Sequence, residues 1–360
     1  MTSKQSKLDF YLKKATTGSL YLIAAVLPFS IALTQITIAF GLLFSLSRRF
    51  GTRTIRFRSL SVEYGFMVFI LAEILALIFS TNYSENIIFL KRLLLIPVVY
   101  LFAFNVLEEK KLKALIWIFV VSVSIYSLTG IFSFLLNPSL RVRHIQNSMT
   151  AGGITMIGAL VVTGWTLHTK AKKIQLLLFL LAVINIMCLL LTSTRSSWLG
   201  FFIGLQIIIY FGNKKFFLVV PILMMAFYFF GPSAFSHRVK NMFDPSWGTN
   251  AKRVFWWRVG LDIFKDHPVF GIGDVSTTDK YEEYAPPGTT ELVGHMHNNF
   301  IHIAVTLGIV GLAAFIYMIA VLFLALFRIL KHSFIRGPSG AISIGAFSVF
   351  IAFNVNGLFE

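Results

Sequence analysis

Basic side chains gather around a long polar segment that ends in Gly294-His295-Met296-His297-Asn298-Asn299. If this segment lies outside the membrane, its positive charge runs against the usual loop bias, which places Lys and Arg in the cytoplasm. We therefore expect an anionic ligand to meet these cations at an outward-facing active site. The basic residues of this region are Arg141, Arg143, Arg195, Arg238, Lys240, Lys252, Arg253, Arg258, Lys265 and Lys280.

The elements that must position these side chains are membrane helices. Of the 360 residues, 56% are apolar and 13% are charged, and the mean hydropathy of +0.77 excludes an ordinary soluble globule. Apolar runs of helix-spanning length recur from end to end, and the first two are either separate helices or one span kinked at Pro28. The fold predicted is an all-α polytopic membrane protein with about 11–12 transmembrane helices. The spans are expected near 16–29, 31–47, 63–80, 87–106, 112–136, 147–168, 173–192, 196–212, 215–231, 298–328 and 339–357.

The distribution of Lys and Arg predicts the orientation. With the N-terminus in the cytoplasm, most of the 32 basic residues fall on the inner side, as the positive-inside rule requires. The net charge of +17 mainly reflects this bias and favours anionic lipid headgroups rather than nucleic acid. The single cysteine, Cys188, excludes an internal disulfide. The first apolar run lacks a small-residue cleavage site, so no cleavable signal peptide is expected.

One large outer loop divides the chain. We expect N-terminal transmembrane helices over 1–231, the loop over 232–296 and C-terminal transmembrane helices over 297–360. Within the loop, Lys252–Asp266 reads as an interfacial amphipathic helix that His267-Pro268 ends. Its apolar face is predicted to contain Val254, Trp257, Leu261 and Phe264. Gly271-Ile272-Gly273 predicts a tight turn. Tyr281–Glu291 reads as polar and irregular, and it is a lid, an acceptor-binding flap or a plain solvated loop.

Several motifs, in the order in which they occur along the chain, resemble those of the O-antigen ligases and O-antigen polymerases of bacterial envelopes. Arg195-Ser196-Ser197-Trp198-Leu199 fits the R-x3-L motif of the ligases, and His297-Asn298 followed by Gly308-Ile309-Val310-Gly311 fits their H-N-x9-G-x-x-G motif. The outer-loop signature of these families resembles Arg253 and Trp257 followed by Asp266-His267-Pro268-Val269-Phe270-Gly271-Ile272-Gly273. An earlier outer-loop element of the families resembles Arg143 followed by Asn147. The closing Asn356-Gly357-Leu358-Phe359-Glu360 is also ligase-like. Because relatives continue into a further span, the resemblance implies a truncated chain or one without the last helix.

The resemblance implies a fold similar to GT-C-type glycosyltransferases and an active site on the periplasmic side of the bacterial inner membrane. Such an enzyme moves a glycan from undecaprenyl pyrophosphate to a sugar hydroxyl, which in the ligases belongs to the lipid A core. A planar guanidinium suits pyrophosphate because it gives bidentate, charge-assisted hydrogen bonds. Arg195 and Arg253 are therefore expected to stabilise the leaving group, and Arg143 to join the clamp. The other predicted substrate-binding residues are Arg258, Asn298, His295 and Trp257.

No metal or other cofactor is expected. The acidic residues of the outer loop are scattered without ligand spacing, and fixed arginines can stabilise a leaving pyrophosphate by themselves. His295 and His297 have a spacing that could bind a transition metal. We favour His297 as the base that accepts the acceptor's hydroxyl proton, because imidazole titrates near working pH. His295 either supports it or faces water.

Several alternatives stay open at this level. Glu73, inside a predicted span, is either a functional carboxylate or one bonded to a neighbouring helix. Lys91 and Arg92 reach either donor phosphate or lipid headgroups. Arg258 can pair with Asp262 on a solvated helix face. A polymerase would use the same donor with a growing lipid-linked glycan as acceptor. A transporter, the third hypothesis, would need ionisable or broken-helix features near the midplane and a repeat.

Overall fold

The computed structural model describes residues 3–52, 60–80, 86–138, 141–142, 145–212, 214–230, 233–241, 244–273, 276–289, 293–336 and 340–359. Arg143, predicted to bind substrate, lies outside them. The described residues are mostly helical, with no strand in these ranges, which confirms the all-α membrane class. The helices before the outer loop are α1 (Ser3–Val26), α2 (Ile31–Thr52), α3 (Glu63–Phe79), a 3-10 helix η1 (Ile87–Leu95), α4 (Ile96–Asn105), α5 (Glu109–Leu136), α6 (Ser148–His168), α7 (Lys172–Thr192), α8 (Arg195–Gly212), a 3-10 helix η2 (Lys214–Phe216) and α9 (Val219–Phe230).

The described residues of the outer loop and the C-terminal part form five more helices. These are α10 (Ser233–Lys240), α11 (Gly248–Asp266), α12 (Ser276–Tyr284), α13 (Asn299–Arg336) and α14 (Gly340–Asn356). Within the described residues, α2, α5, α6, α7 and α13 are long and apolar enough to cross a membrane, and α14 is a shorter apolar helix. The total of about 11–12 spans stays a prediction.

The first two predicted spans are separate helices. Alpha-helical structure stops at Val26 and resumes at Ile31, and α1 and α2 pack against each other. The predicted span over 87–106 is also divided, because η1 precedes the α-helical turn that begins at Ile96-Pro97. Proline has no N–H to donate, so it is well tolerated at a helix start.

The core beneath the outer loop is formed by α6, α8 and α14. Met156, Leu160, Trp198 and Phe347 are buried there, and Trp198 donates its indole N–H to the carbonyl of Leu189 at 3.0 Å. Small residues allow the close packing that membrane helices need. A Cβ added at Gly200 would lie 2.7 Å from the carbonyl oxygen of Ala352. This packing fixes the N-terminal end of α8, where Arg195 begins the helix.

The outer loop has a small hydrophobic core of its own. Val259 and Ile263 of α11 are buried with Ile272, Tyr281 and Met296. Leu261, on the predicted apolar face of α11, is 44% exposed, as expected of a face that contacts the membrane interface, while the other side of the helix packs on the loop and on α13. The interfacial position of α11 stays a prediction. The prediction of an irregular segment over Tyr281–Glu291 is wrong at its start, because α12 continues to Tyr284.

Glu73 and Arg92 form an ion pair between α3 and η1. Arg92 Nε lies 2.6 Å from Glu73 Oε1, and Arg92 Nη2 lies 2.6 Å from Glu73 Oε2. Glu73 is 3% exposed, and a buried carboxylate is stable only when it is paired in this way. Of the two predicted roles for Glu73, the structure shows the bonded carboxyl group.

Candidate active site

A left-handed residue between α7 and α8 turns the chain so that Arg195 is the first residue of α8. Ser193 has φ +53° and caps α7. The hydroxyl of the next residue, Thr194, donates to the carbonyl oxygen of Ser148 at 2.8 Å, which ties this turn to the start of α6. Arg195 is thereby held at the outer end of the core, with only 8% of its surface exposed.

The guanidinium of Arg195 is held by the outer loop. It donates to the carbonyl oxygen of Asn241 at 3.0 Å, to Thr249 Oγ1 at 2.7 Å and to Asn250 Oδ1 at 2.7 Å. Its Cζ also lies 4.5 Å from the ring centroid of Trp247. These partners are all neutral, so they fix the orientation of the side chain and leave its positive charge available to a ligand.

Further cations surround Arg195. Burial lowers the pKa of Arg195 to about 10, and the positive charges of Arg253, Arg238 and Arg141 lower it as well. Arg238 of α10 donates to the carbonyl oxygen of Ser193 at a long 3.4 Å. Like charges held together in a protein require a compensating anion or a structural constraint. The electrostatics therefore favour a bound anion at this place.

His297 is held at the end of the outer loop in an unusual conformation. Its φ is +49°, although it is not a glycine, and residues in this region often belong to functional sites. Its ring stacks on Trp256 of α11, with centroids 4.7 Å apart and an interplanar angle of 28°. The backbone N–H of His297 donates to the Nδ1 of His295 at 3.0 Å.

The surroundings of His297 favour its neutral form. Burial lowers the pKa of His297, and the positive charge of Arg253 and the neighbouring His302 lower it further. Its Nδ1 is buried and makes no hydrogen bond to any residue that the structure describes. A neutral imidazole with an uncommitted nitrogen can accept a proton.

Arg195, Arg253 and His297 line one cavity of about 130 Å³, which we name the cationic cavity. This brings together the three residues that the sequence predicted to be catalytic. Arg141 and Lys252, which the sequence counted among the cations expected to meet an anionic ligand without giving them a specific role, also line the cationic cavity, as does Trp256, which the sequence had not singled out. The basic character of Arg141 and Lys252 was visible in the sequence, but only the fold shows that they face this space. The other lining residues are Met149, Ser193, Thr194 and Thr249.

A second cavity of about 170 Å³, the apolar cavity, shares Arg195 and Arg253 with the first. Trp257, predicted to bind substrate, and Phe359 lie in its wall. Arg195 and Arg253 therefore lie between the cationic cavity and the apolar cavity. The remaining lining residues are Ser196, Leu199, Pro245, Asn250 and Val254.

Several helices begin around the cationic cavity. Met149 and Thr249, in the first turns of α6 and α11, line it, and α8 begins with Arg195. The first N–H groups of a helix have no partner within the helix and carry a partial positive charge. Such helix ends bind phosphates and other anions readily, so the backbone adds to the charge of the arginines.

The glycine motifs join the outer loop to α13. Helical geometry is interrupted at Gly308, which has φ +66° and ψ −165°. The carbonyl groups freed near the break accept from the loop: Ile272 N–H donates to Val305 O at 3.0 Å, and Gly273 N–H to Thr306 O at 2.9 Å. On the other side, Ile309 N–H donates to Pro268 O at 2.8 Å. The backbone of the loop therefore satisfies the groups freed by the break and joins the loop to α13.

The closing sequence of the chain also packs at the site. Ser197 Oγ donates to Asn356 Oδ1 at 3.0 Å, and the N–H of Asn299 donates to the carbonyl oxygen of Gly357 at 2.8 Å. A Cβ at Gly357 would lie 2.4 Å from Asn299 Nδ2. Phe359 is consequently placed in the wall of the apolar cavity.

The structure places the remaining predicted residues in different surroundings. Asn298 Oδ1 accepts from the N–H groups of Phe300 at 2.9 Å and Ile301 at 3.2 Å, as an N-cap of α13 does. Arg258 is exposed on α11, and neither cavity includes it among its described lining residues. Asp262, its possible partner, bonds to Lys265 at 2.7 Å. The substrate-binding roles of Asn298 and Arg258 stay predictions.

Comparison with known protein families finds a match over part of the chain. Residues 177–316 match the family model described as O-antigen ligase. The matched segment runs from α7 into α13 and includes Arg195, Arg253 and His297. No curated protein matches the chain at a significant level.

Proposed function

We propose that this chain is an O-antigen ligase acting at the outer face of the bacterial inner membrane, a proposal supported by the match of residues 177–316 to the O-antigen ligase family model. Its donor is a glycan on undecaprenyl pyrophosphate, and its acceptor is a hydroxyl of the lipid A core. The family match supports a membrane enzyme of the ligase or polymerase type. The observation that carries the proposal is the convergence of Arg195, Arg253 and His297 on the cationic cavity.

In the proposed reaction, an oxygen of the acceptor attacks the anomeric carbon of the donor glycan. The bond between that carbon and the pyrophosphate oxygen breaks, and the electron pair leaves with undecaprenyl pyrophosphate. The hydroxyl proton passes to the imidazole of His297. Atoms and charge balance without a further reactant.

Arg195 and Arg253 stabilise the charge that grows on the leaving pyrophosphate. A fixed cation that is already oriented lowers the barrier without reorganising during the reaction. The neutral hydrogen-bond partners of Arg195 provide this orientation. Arg141 and Lys252, together with the helix N-termini, add positive potential to the cationic cavity.

The apolar cavity receives the first prenyl units of the donor. It shares Arg195 and Arg253 with the cationic cavity, so a lipid pyrophosphate can place its phosphates at the arginines and its chain beside Trp257 and Phe359. The acceptor then approaches from the side of His297. This arrangement separates the lipid part of the donor from the incoming hydroxyl.

Reconstituted transfer tests the proposal. Purified protein in vesicles receives a labelled glycan on undecaprenyl pyrophosphate, with either lipid A core or a second donor molecule, in EDTA. We expect labelled glycan on the core alone. Chains that lengthen on the lipid carrier would instead identify a polymerase. Activity that EDTA abolishes and magnesium restores would contradict the metal-independent mechanism.

A further inference from the structure

A third cavity lies at the far end of α8 from the candidate active site. Its volume is about 490 Å³. Because α8 contains 18 residues, its two ends are separated by about 27 Å along the helix. The cavity therefore opens at the opposite membrane face, which is cytoplasmic in the predicted orientation. We name it the inner cleft; its walls include Tyr210, Phe211, Lys214, Phe327, Leu330 and Lys331.

Phe347 of α14 separates the two sides of the inner cleft. Its ring lies 6.4 Å from that of Phe211 on α8 and 5.9 Å from that of Phe327 on α13. Both α8 and α13 pack against α14. Since α14 stands between them, their inner ends leave a space with an aromatic floor.

Two lysines from different helices line the inner cleft. Lys214 belongs to η2, and Lys331 to the last part of α13; both are exposed residues. The Nζ of Lys214 lies 4.9 Å from the ring centroid of Tyr210. Each lysine therefore combines a charged end with a neighbouring apolar wall, as residues at the membrane interface commonly do.

This combination identifies the ligand by its chemistry. Basic pockets between membrane helices at the cytoplasmic side bind anionic lipid headgroups, and aromatic and aliphatic walls favour acyl chains over water. We propose that the inner cleft binds one anionic diacyl phospholipid. Its phosphate lies between Lys214 and Lys331, and an acyl chain packs on Phe211 and Phe327.

Phosphatidylglycerol is the probe, and phosphatidylcholine with the same acyl chains is the neutral comparison. Full-length protein in a neutral detergent is titrated with each lipid, and native mass spectrometry counts the bound molecules and gives the dissociation constant. We expect phosphatidylglycerol to bind more tightly. Equal binding of the two lipids would overturn the proposal, because the lysines would then contribute nothing.

Substitutions at the two lysines locate the binding site. Lys214→Gln and Lys331→Gln should each weaken phosphatidylglycerol binding about fivefold, the effect of one lysine near a headgroup. The double variant should weaken it roughly 25-fold if the two act independently. Lys172→Gln is the matched control, since Lys172 is another exposed lysine expected on the same face but not a lining residue. Wild-type affinity in the double variant, or an equal loss in the control, would contradict the assignment.

A soluble headgroup distinguishes a lipid from free phosphate. Glycerol phosphate, which has no acyl chain, should fail to displace phosphatidylglycerol at equal concentration. Displacement at equal concentration would show a phosphate site in which the aromatic walls have no role, and the lipid proposal would be wrong. Binding is measured without glycan transfer, so the result is independent of the proposed enzymatic activity.

Discussion

The backbone N–H of His297 donates to the Nδ1 of His295 across 3.0 Å. Nδ1 can accept this hydrogen bond only while the His295 ring is neutral, because both nitrogens of an imidazolium are donors. His297 has φ +49°, a conformation that its surroundings must maintain. His295 is therefore a positioning residue for the proposed base.

Replacing His295 tests this role. In His295→Ala the acceptor is lost, and we expect kcat to fall about tenfold, the effect of one hydrogen bond, with little change in KM. His295→Asn should retain most activity, because an asparagine oxygen readily accepts the N–H two residues later. Equal losses in both variants would show that the ring itself, and not its acceptor nitrogen, matters.

His297→Ala should lower kcat about 10²–10⁴-fold, the usual range for loss of a general base, and leave donor binding nearly intact. The base must be neutral, and burial, Arg253 and His302 lower the pKa of His297. Wild-type activity should therefore persist to a lower pH than an ordinary histidine with a pKa of about 6.5 would allow. Arg253→Gln removes one positive charge and should move the acid limb of kcat to higher pH. Turnover at the wild-type rate in His297→Ala would remove His297 from the catalytic step.

Two arginines on α11 form a matched pair for testing donor binding. Arg253 lines both the cationic and the apolar cavity, whereas Arg258 is exposed on the same helix. Arg253→Lys keeps the charge but loses the planar fork, and kcat/KM should fall roughly ten- to a hundredfold. Arg258→Lys should stay close to wild type. Similar losses in both would support the predicted substrate contact of Arg258 and weaken the special role of Arg253.

Gly308→Ala should destabilise the protein strongly. The backbone at φ +66° and ψ −165° is accessible almost only to glycine, at a cost of about 1–3 kcal/mol for other residues. The added Cβ would also lie 2.2 Å from the carbonyl oxygen of Val269. We expect a clear drop in the thermal midpoint, or no folded protein. Gly153→Ala in α6 is the control, because nothing lies within 4 Å of its Cβ position, and an unchanged midpoint in Gly308→Ala would show that the loop and α13 are not joined as described.

Cysteine labelling in intact cells tests the orientation. Asp279 and Lys170 are exposed residues on opposite sides of the predicted topology, and the native Cys188 is buried. An impermeant thiol reagent added outside should label Asp279→Cys and leave Lys170→Cys unlabelled until the membrane is opened. The reverse pattern would place the candidate active site in the cytoplasm.

The sequence motifs pointed to three residues that the structure brings to one cavity, but they did not predict the surroundings of these residues. Arg195, Arg253 and His297 could be found because their motifs occur in order around a single outer loop. The break at Gly308 was not predicted, since the apolar pattern continues through it and a single glycine is often tolerated within a helix. The bonds that compensate for the break come from residues 268–273, a tertiary effect that hydropathy does not encode.

The roles of Lys252, Trp256 and Phe359 depend on contacts between distant parts of the chain. Lys252 and Trp256 lie on one side of α11 that faces the cationic cavity, but the sequence pattern indicated an interfacial helix with its apolar face in the membrane. This pattern could not show that α11 also packs on a hydrophobic core within the loop. Phe359 reaches the apolar cavity because Asn356 and Gly357 bond to α8 and α13.

The helix N-termini around the cationic cavity contribute a part of the affinity for phosphate that substitution of side chains cannot remove. Met149, Arg195 and Thr249 lie in the first turns of three helices, and the backbone dipoles there do not titrate and survive any change of side chain. A variant without one arginine therefore keeps part of the attraction for phosphate at every pH. Weak residual donor binding in such variants measures the contribution of the backbone, and only substitutions that combine several arginines can reveal how much of the affinity belongs to the side chains.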